Sequence, residues 1–130
     1  MSKITVIKVR HKDSGNINNE LQWLGNSLGL FGNRDKDSSC FRMFIVLVRK
    51  SKQNHAISSD DLAENLHLSR ATIVHHLKKL LDSGIVVRQD RGYILREGNL
   101  SAVVRDIKRD TNAMLIEIEE IAKEIDDMMN

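Results

Sequence analysis

The residues best suited to chemistry lie between positions 70 and 91, and their types favour binding over bond making. Arg70, His75 and Lys78 fall on one side of a predicted helix, and Arg88 and Arg91 follow in a β-rich stretch. Guanidinium, ammonium and imidazole groups donate hydrogen bonds to phosphate oxygens, and arginine also binds guanine in a bidentate way. These residues therefore predict contact with double-stranded DNA.

Patterns typical of enzymes and metal sites are missing from the sequence. No Ser/His/Asp or Cys/His set has a positioning context, and no glycine-rich phosphate loop occurs, so we expect no enzymatic activity. Cys40 is the only cysteine, which excludes an internal disulfide and a multi-cysteine zinc site. His75 and His76 are adjacent, and neighbours on a helix do not face each other. We expect neither a metal nor a cofactor.

The net charge of +2 conceals an uneven distribution along the 130 residues. Residues 1–96 carry 16 Lys and Arg against 9 Asp and Glu, whereas residues 97–130 carry 4 against 9. A basic body with an acidic tail is common among nucleic-acid-binding proteins. No apolar run reaches the ~20 residues of a membrane helix, and the N-terminus lacks a secretory apolar stretch, so we expect a cytoplasmic protein.

Two short predicted helices joined by a tight turn position the basic residues. Ser58 is suited to cap the first helix, with Asp61 three residues later in the capping-box position. The turn His67-Leu68-Ser69 follows, Ser69 is suited to cap the second helix from Arg70 to about Leu81, and Gly84 provides its left-handed stop. This pattern predicts a helix-turn-helix.

A predicted β-hairpin follows the second helix. Two β-rich arms flank the turn cluster Asp90-Arg91-Gly92, so basic residues lie at the tip and along the sides of the hairpin. Beside a helix in the major groove such a hairpin forms a wing, and Arg91 at its tip is suited to the negative potential of the minor groove.

The predicted DNA-contacting residues come from the second helix and the hairpin. Arg70 is expected to bind guanine or a phosphate, Val74 a thymine methyl group, and Arg88 and Arg96 phosphates. The full predicted set is Ser69, Arg70, Ala71, Thr72, Val74, His75, Lys78, Arg88, Arg91 and Arg96.

The stretch ISSDDLAENLHLSRATIVHHLKKLLDSGIVVRQDRGYIL, from Ile57 to Leu95, resembles the winged helix-turn-helix of ArsR-like bacterial and archaeal transcription regulators. The segment LSRATIVHHLKKL followed by SGIV carries the resemblance most clearly. It implies a dimer on a palindromic operator. The metal sensors of that family carry Cys ligands near the helix-turn-helix or His and Asp ligands on the last helix. Here Cys40 stands alone and residues 97–130 contain no His, which speaks against metal sensing.

The flanking N-terminal region, residues 1–37, is predicted to pack at the dimer interface. The β-branched run Ile4–Val9 predicts an edge strand, and apolar residues at fixed spacings from Ile17 to Leu28 predict a helix that ends at Gly29, Gly32 and a polar run to Asp37. The predicted DNA-binding domain, residues 38–96, begins with a further helix. This helix is expected to be largely buried and to run from Ser38 or Ser39 to about Lys50.

Residues 97–130 predict a long helix with a heptad repeat. Its apolar positions are separated alternately by four and three residues over about four heptads, and they extend to Met128. A lone helix cannot bury such a stripe, so a second chain is the simplest partner, although packing on the chain's own body stays open. The predicted dimerisation residues are Leu100, Val104, Ile107, Thr111, Met114, Ile118, Ile121 and Ile125.

Together these patterns predict a mainly α fold with a small β-hairpin, built as a winged helix-turn-helix with a long C-terminal dimerisation helix. The predicted function is a homodimeric, sequence-specific regulator that binds double-stranded DNA, with no membrane partner. A winged-helix protein-interaction module without independent DNA binding is the alternative, because the fold alone does not decide function. A ligand-sensing regulator is a third reading, and no residue pattern points to a particular ligand.

Overall fold

A computed structural model of the chain describes residues 3–31 and 38–130. Within these ranges the fold is mainly helical, with one antiparallel hairpin after the helix-turn-helix and a long C-terminal helix, which is the architecture of a winged helix-turn-helix. The elements are α1 (Ile17–Ser27), α2 (Ser39–Lys52), α3 (Ser59–Leu66), α4 (Arg70–Asp82), β1 (Val86–Gln89), β2 (Gly92–Leu95) and α5 (Leu100–Met129). Gly32 and the polar run up to Asp37, which were predicted to follow the first helix, lie outside the described residues.

Side-chain caps fix where four of the helices begin. Asn16 accepts hydrogen bonds from the first backbone amides of α1, and Ser58, Ser69 and Asn99 do the same for α3, α4 and α5. Each bond satisfies an amide that has no partner inside its helix, so the start of the helix is set locally. The caps predicted at Ser58 and Ser69 are confirmed. Ser38 precedes α2 in a left-handed conformation and makes no such bond.

The apolar core lies where α2, α3, α4 and the hairpin meet. Phe44 and Leu47 of α2 are fully buried, and they share the core cluster with Leu62 of α3 and with Ile73 and Leu80 of α4. Burial of a side chain of this size stabilises the fold by about 1.5–3 kcal/mol. The core therefore fixes α4 by one face and leaves its opposite face in solvent.

The hairpin is attached to the helical body at three points. Ile57, just before α3, forms an antiparallel bridge with Tyr93, with N–O distances of 3.0 and 2.8 Å. The Ser51 hydroxyl at the end of α2 accepts a bond from the backbone amide of Leu95 at 3.0 Å. A Cβ on Gly92 would lie 3.0 Å from the Ile57 backbone, so a larger residue would push the two backbones apart. Arg96, directly after β2, makes the third attachment through its ion pair with Asp110 of α5.

The strand predicted at Ile4–Val9 does not form. Among residues 3–31 and 38–130 the segment from Lys3 to Arg10 pairs with no strand, and two of its backbone amides bond to the ends of helices instead. The amide of Lys3 donates to the carbonyl of Asp82 and that of Ile7 to the carbonyl of Ser27. Carbonyls at helix C-termini have no partner inside the helix, so they accept bonds from a passing segment.

The helix α5 has two halves with different environments. In the first half Val103, Asp106 and Ile107 are buried against the body of the same chain. From residue 112 to the end every residue is exposed, which corresponds to a projection of about 27 Å at about 1.5 Å per residue. No helix within residues 3–31 and 38–130 combines the length and the apolar character needed to cross a membrane.

Candidate nucleic-acid interface

The turn between α3 and α4 is fixed by backbone and side-chain hydrogen bonds. His67 ends α3 in a left-handed conformation, and the amide of Leu68 donates to the carbonyl of Ala63 at 3.1 Å. Arg42 of α2 donates to the carbonyl of Leu66 at 2.6 Å and so holds the C-terminus of α3 from outside. The orientation of α4 relative to α3 is thus set by bonds as well as by packing.

The outward face of α4 carries five of the predicted contact residues, the first of which is Arg70. Ala71, Val74, His75 and Lys78 are all exposed, and 54% of the Val74 surface is open to solvent. A core-directed helix face opposite an exposed mixed face of this kind suits insertion into a major groove, which admits one α-helix. An exposed valine among polar residues has a use there, since it can contact a thymine methyl group.

Arg70 begins the outward face, and its guanidinium forms an ion pair with Asp60 of α3. Both side chains are mostly exposed, at 73% and 69%. Exposed ion pairs contribute only about 0–1 kcal/mol, so Arg70 can exchange Asp60 for a phosphate or a base at little cost.

The predicted contacts Ser69 and Thr72 serve the helix start. The Ser69 hydroxyl accepts a bond from the Thr72 amide at 3.1 Å, and the two hydroxyl oxygens lie 2.8 Å apart. These bonds hold the first turn of α4, the turn that a recognition helix directs toward the bases.

The hairpin presents Arg88 and Arg91 to solvent beside α4. Its loop consists of Asp90 and Arg91 alone, both with positive φ, because Gln89 pairs directly with Gly92. Two positive φ values define the type I′ turn that suits a twisted hairpin. The loop is therefore one residue shorter than predicted.

A groove separates the hairpin from α4. It has a volume of about 380 Å³, and Val74 and Lys78 line its helix side while Arg88 and Tyr93 line its hairpin side. Tyr93 was not among the residues predicted from the sequence. It follows Gly92 in β2 and forms the bridge with Ile57.

Arg96 occupies a different environment from the other predicted contacts. Its Nη1 donates to Asp110 at 2.6 Å and its Nε lies 3.4 Å from Asp106, both on α5, and only 27% of the side chain is exposed. The hydrogen bond to Asp110 raises the pKa of Arg96 and lowers that of Asp110. Arg96 therefore joins the base of the hairpin to α5, and its guanidinium is already paired with carboxylates.

Cys40 and His76 belong to the structural part of the fold. Cys40 is buried in α2, as expected of a small apolar residue. His76 is half-buried and its Nε2 lies 2.7 Å from the Ser39 hydroxyl oxygen, whereas His75 is exposed. Within the described residues no group of three or more His, Cys, Asp or Glu side chains is arranged to hold a metal ion.

The predicted dimerisation stripe divides between the two halves of α5. Leu100 and Ile107 pack against the core of their own chain, so they have a different partner from the predicted second chain. Val104 and Thr111 lie at the boundary, with 37% of Val104 exposed. The stripe residues of the projecting half are open to solvent, with exposed fractions of 36% at Met114, 63% at Ile118, 50% at Ile121 and 45% at Ile125.

Comparison with known families agrees with this geometry. Residues 42–94 match a family model described as an HTH domain. The match runs from α2 to β2 and includes the turn, α4 and nearly all of the hairpin. No curated protein and no solved structure matches the chain. The chain thus carries a helix-turn-helix domain, the kind of domain that DNA-binding regulators use.

Proposed function

We propose that the chain is a sequence-specific transcriptional regulator that binds double-stranded DNA as a homodimer. In this proposal α4 enters the major groove and the hairpin tip reaches the adjacent minor groove. The exposed face of α4 supports the proposal, because Val74 and Lys78 line one groove together with the exposed Arg88 of the hairpin. The resemblance of residues 57–95 to ArsR-like regulators supports an ArsR-like regulator as the family.

The residues divide by their expected roles. Arg70, Val74 and His75 are proposed to contact base edges or nearby phosphates, Arg88 and Lys78 to contact phosphates, and Arg91 to enter the minor groove. Ser69, Ala71 and Thr72 belong to the first turn, where the backbone comes closest to the bases. Arg96 is proposed to act on DNA binding indirectly, by holding the hairpin against α5.

The homodimer is proposed from the projecting half of α5. Met114, Ile118, Ile121 and Ile125 form one stripe with Met128, at heptad spacing and uncovered by any of the described residues. Val104 and Thr111 would extend the contact toward the body. β-Branched residues at one heptad position, as at Ile118 and Ile125, favour two-stranded pairing where the helices run parallel.

The decisive experiment is a titration of the protein onto duplex DNA at several salt concentrations. A dimer that makes about 6–10 phosphate contacts loses roughly 10³–10⁵-fold in affinity between about 50 and 200 mM salt. Arg70→Ala and Arg91→Ala should each cost about 1–3 kcal/mol of binding free energy while the unfolding temperature changes little.

Arg105→Ala is the matched control, since Arg105 is an exposed arginine on α5. It should bind DNA like the wild-type protein. Undetectable binding of the wild type at low salt would refute the proposal in favour of a protein-interaction module. Wild-type affinity in both the Arg70 and Arg91 variants would refute the assigned surface.

A further inference from the structure

A second groove lies along α4, on the side away from the hairpin. It has a volume of about 310 Å³ and runs between the N-terminal segment and the second half of α4. Lys3 lies on one wall, and His75, Lys78 and Lys79 line the helix wall. Asp82 also lines the groove, so the fixed charges are three ammonium groups against one carboxylate.

The geometry of α4 places the two grooves on opposite flanks. Successive residues of a helix advance by about 100°, so Val74 and Leu81 point to one side and Lys79 to the other. The first two line the groove shared with the hairpin, and Lys79 lines the groove shared with the N-terminal segment. Lys78, between them, lines both.

Backbone contacts hold the N-terminal segment in place on this flank. The amide of Lys3 donates to the carbonyl of Asp82 at 3.0 Å, and the Trp23 indole N–H donates to the carbonyl of Val9 at 3.1 Å. The ammonium group of Lys79 lies 3.4 Å from the carbonyl oxygen of Leu30. Three separate parts of the chain thus build this groove, and its lysines come from two of them, the N-terminal segment and α4.

A helix in a major groove needs support on both sides. The major groove of DNA is about 12 Å wide, and an α-helix with its side chains is about 10–12 Å across. A row of phosphates therefore borders each flank of a helix that lies in the major groove. The arginines of the hairpin can serve one row. On the opposite flank, the groove that contains Lys3 and Lys79 provides the positive charge for the other row.

We propose that the groove between the N-terminal segment and α4 binds a backbone phosphate of DNA, with Lys3 and Lys79 as its ligands. This inference rests on the proposed function. It gives the N-terminal segment, whose predicted strand does not form, a role as a second flank of the DNA-binding surface. Because phosphates are the same in every sequence, this contact adds affinity without changing the preferred site.

The test compares Lys3→Gln and Lys79→Gln with the wild type in DNA titrations over a range of salt. Each variant removes one positive charge from each protomer, and so two from the proposed dimer, and the slope of log K against log salt should become less steep by about 1.8. Affinity should fall roughly 3- to 10-fold, and by the same factor on specific and random duplexes. Lys123→Gln, on the exposed projecting half of α5, is the control and should leave the slope unchanged.

The outcomes separate this inference from the proposed function. Steep salt dependence in the wild type with unchanged slopes in both variants would overturn the second flank and leave the DNA-binding proposal intact. A wild type that does not bind DNA would overturn both. If inorganic phosphate shifts the amide signals of Lys3 and His75 in the wild type while the variants keep the wild-type slope, the groove binds a free anion and the assignment to DNA is wrong.

Discussion

At the scale of single residues, the hairpin tip shows a conflict between backbone preference and charge. Arg91 has a φ of 63° at the second position of a type I′ turn, where glycine is the residue without steric cost. Asp90, at the first position, tolerates this conformation better because Asp and Asn visit it more readily than most residues. An arginine at Arg91 therefore costs stability, and the charge it carries at the tip is a reason to keep it.

Arg91→Gly should raise the free energy of unfolding, by up to about 1 kcal/mol, since it relieves the left-handed strain. The same change should weaken DNA binding, because the charge at the tip is lost. Urea denaturation at fixed protein concentration and a DNA titration measure the two effects. Arg91→Asn is the matched control, which removes the charge but keeps a side chain that tolerates positive φ. A less stable glycine variant, or one with wild-type DNA affinity, would contradict the explanation.

At the scale of elements, the sequence predicted the helices and the hairpin well because their signals are local. Capping side chains such as Ser58 and Ser69 act within three residues, and a two-residue turn fixes the hairpin register. The predicted strand at residues 4–9 failed for the opposite reason. A β-branched run favours an extended backbone, but the groups that bond to it lie far along the chain. Here those groups are carbonyls at the ends of α1 and α4 rather than a neighbouring strand.

The predicted sites show the same limit. An apolar stripe such as that of α5 indicates that the helix packs against another surface, but it does not identify that surface. Ile107 packs against the core of its own chain. Arg96 lies in a basic hairpin, yet Asp110, 14 residues away, takes its guanidinium. Lys3 and Lys79 carry no motif, and only the tertiary fold brings them to one groove. Local patterns thus predicted the outward face of α4, whereas contacts distant in sequence determine what surrounds it.

Docking of the N-terminal segment on α1 involves a titratable pair. His11 lies 2.7 Å from Glu20, and its ring packs edge-on against Trp23 with centroids 4.8 Å apart. The hydrogen bond to Glu20 raises the pKa of His11 above its ordinary 6.5, and the hydrogen bond from His11 lowers the pKa of Glu20 below 4.5. The contribution of His11 is present below pH 6.5 and is lost as pH rises through the raised pKa. That of Glu20 is present above pH 4.5 and is lost as pH falls through the lowered one.

The segment should therefore be held most firmly between about pH 4.5 and 6.5. NMR titration should give His11 a pKa above 6.5, and the Trp23 indole signal should shift in the same pH range. Glu20→Gln should return the His11 pKa toward 6.5, whereas Asp13→Asn should change it less, because Asp13 acts only through weaker charge interaction. Equal effects of the two substitutions would contradict a direct hydrogen bond.

At the scale of the whole molecule, the chain separates a basic body from an acidic projecting helix. The projecting half of α5 is rich in Asp and Glu, and it also exposes the apolar stripe of Met114, Ile118, Ile121 and Ile125. Exposed apolar stripes of this extent mark sites of association. The proposed dimer thus places the association surface at a distance from the DNA-reading surface.

Ile118→Asp should convert the proposed dimer to a monomer, because an unpaired carboxylate would be buried in the stripe. Ile116→Asp is a closely matched control. Ile116 is 58% exposed against 63% for Ile118, and two residues along the helix it points to nearly the opposite side. Sedimentation velocity should show a monomer for the first variant and a dimer for the second. A dimer in both, or a wild-type monomer, would refute pairing through this stripe.

The three attachments of the hairpin have a consequence for the thermodynamics of binding. The hairpin is bonded to α2 through Ser51, to the entry of α3 through Ile57, and to α5 through Arg96. A reading element that is already ordered in the free protein loses little conformational entropy when it meets its target. We therefore expect β1 and β2 to be protected from amide hydrogen exchange without DNA, and the hairpin tip to keep a fixed distance from α4, which the proposed contacts with adjacent major and minor grooves require.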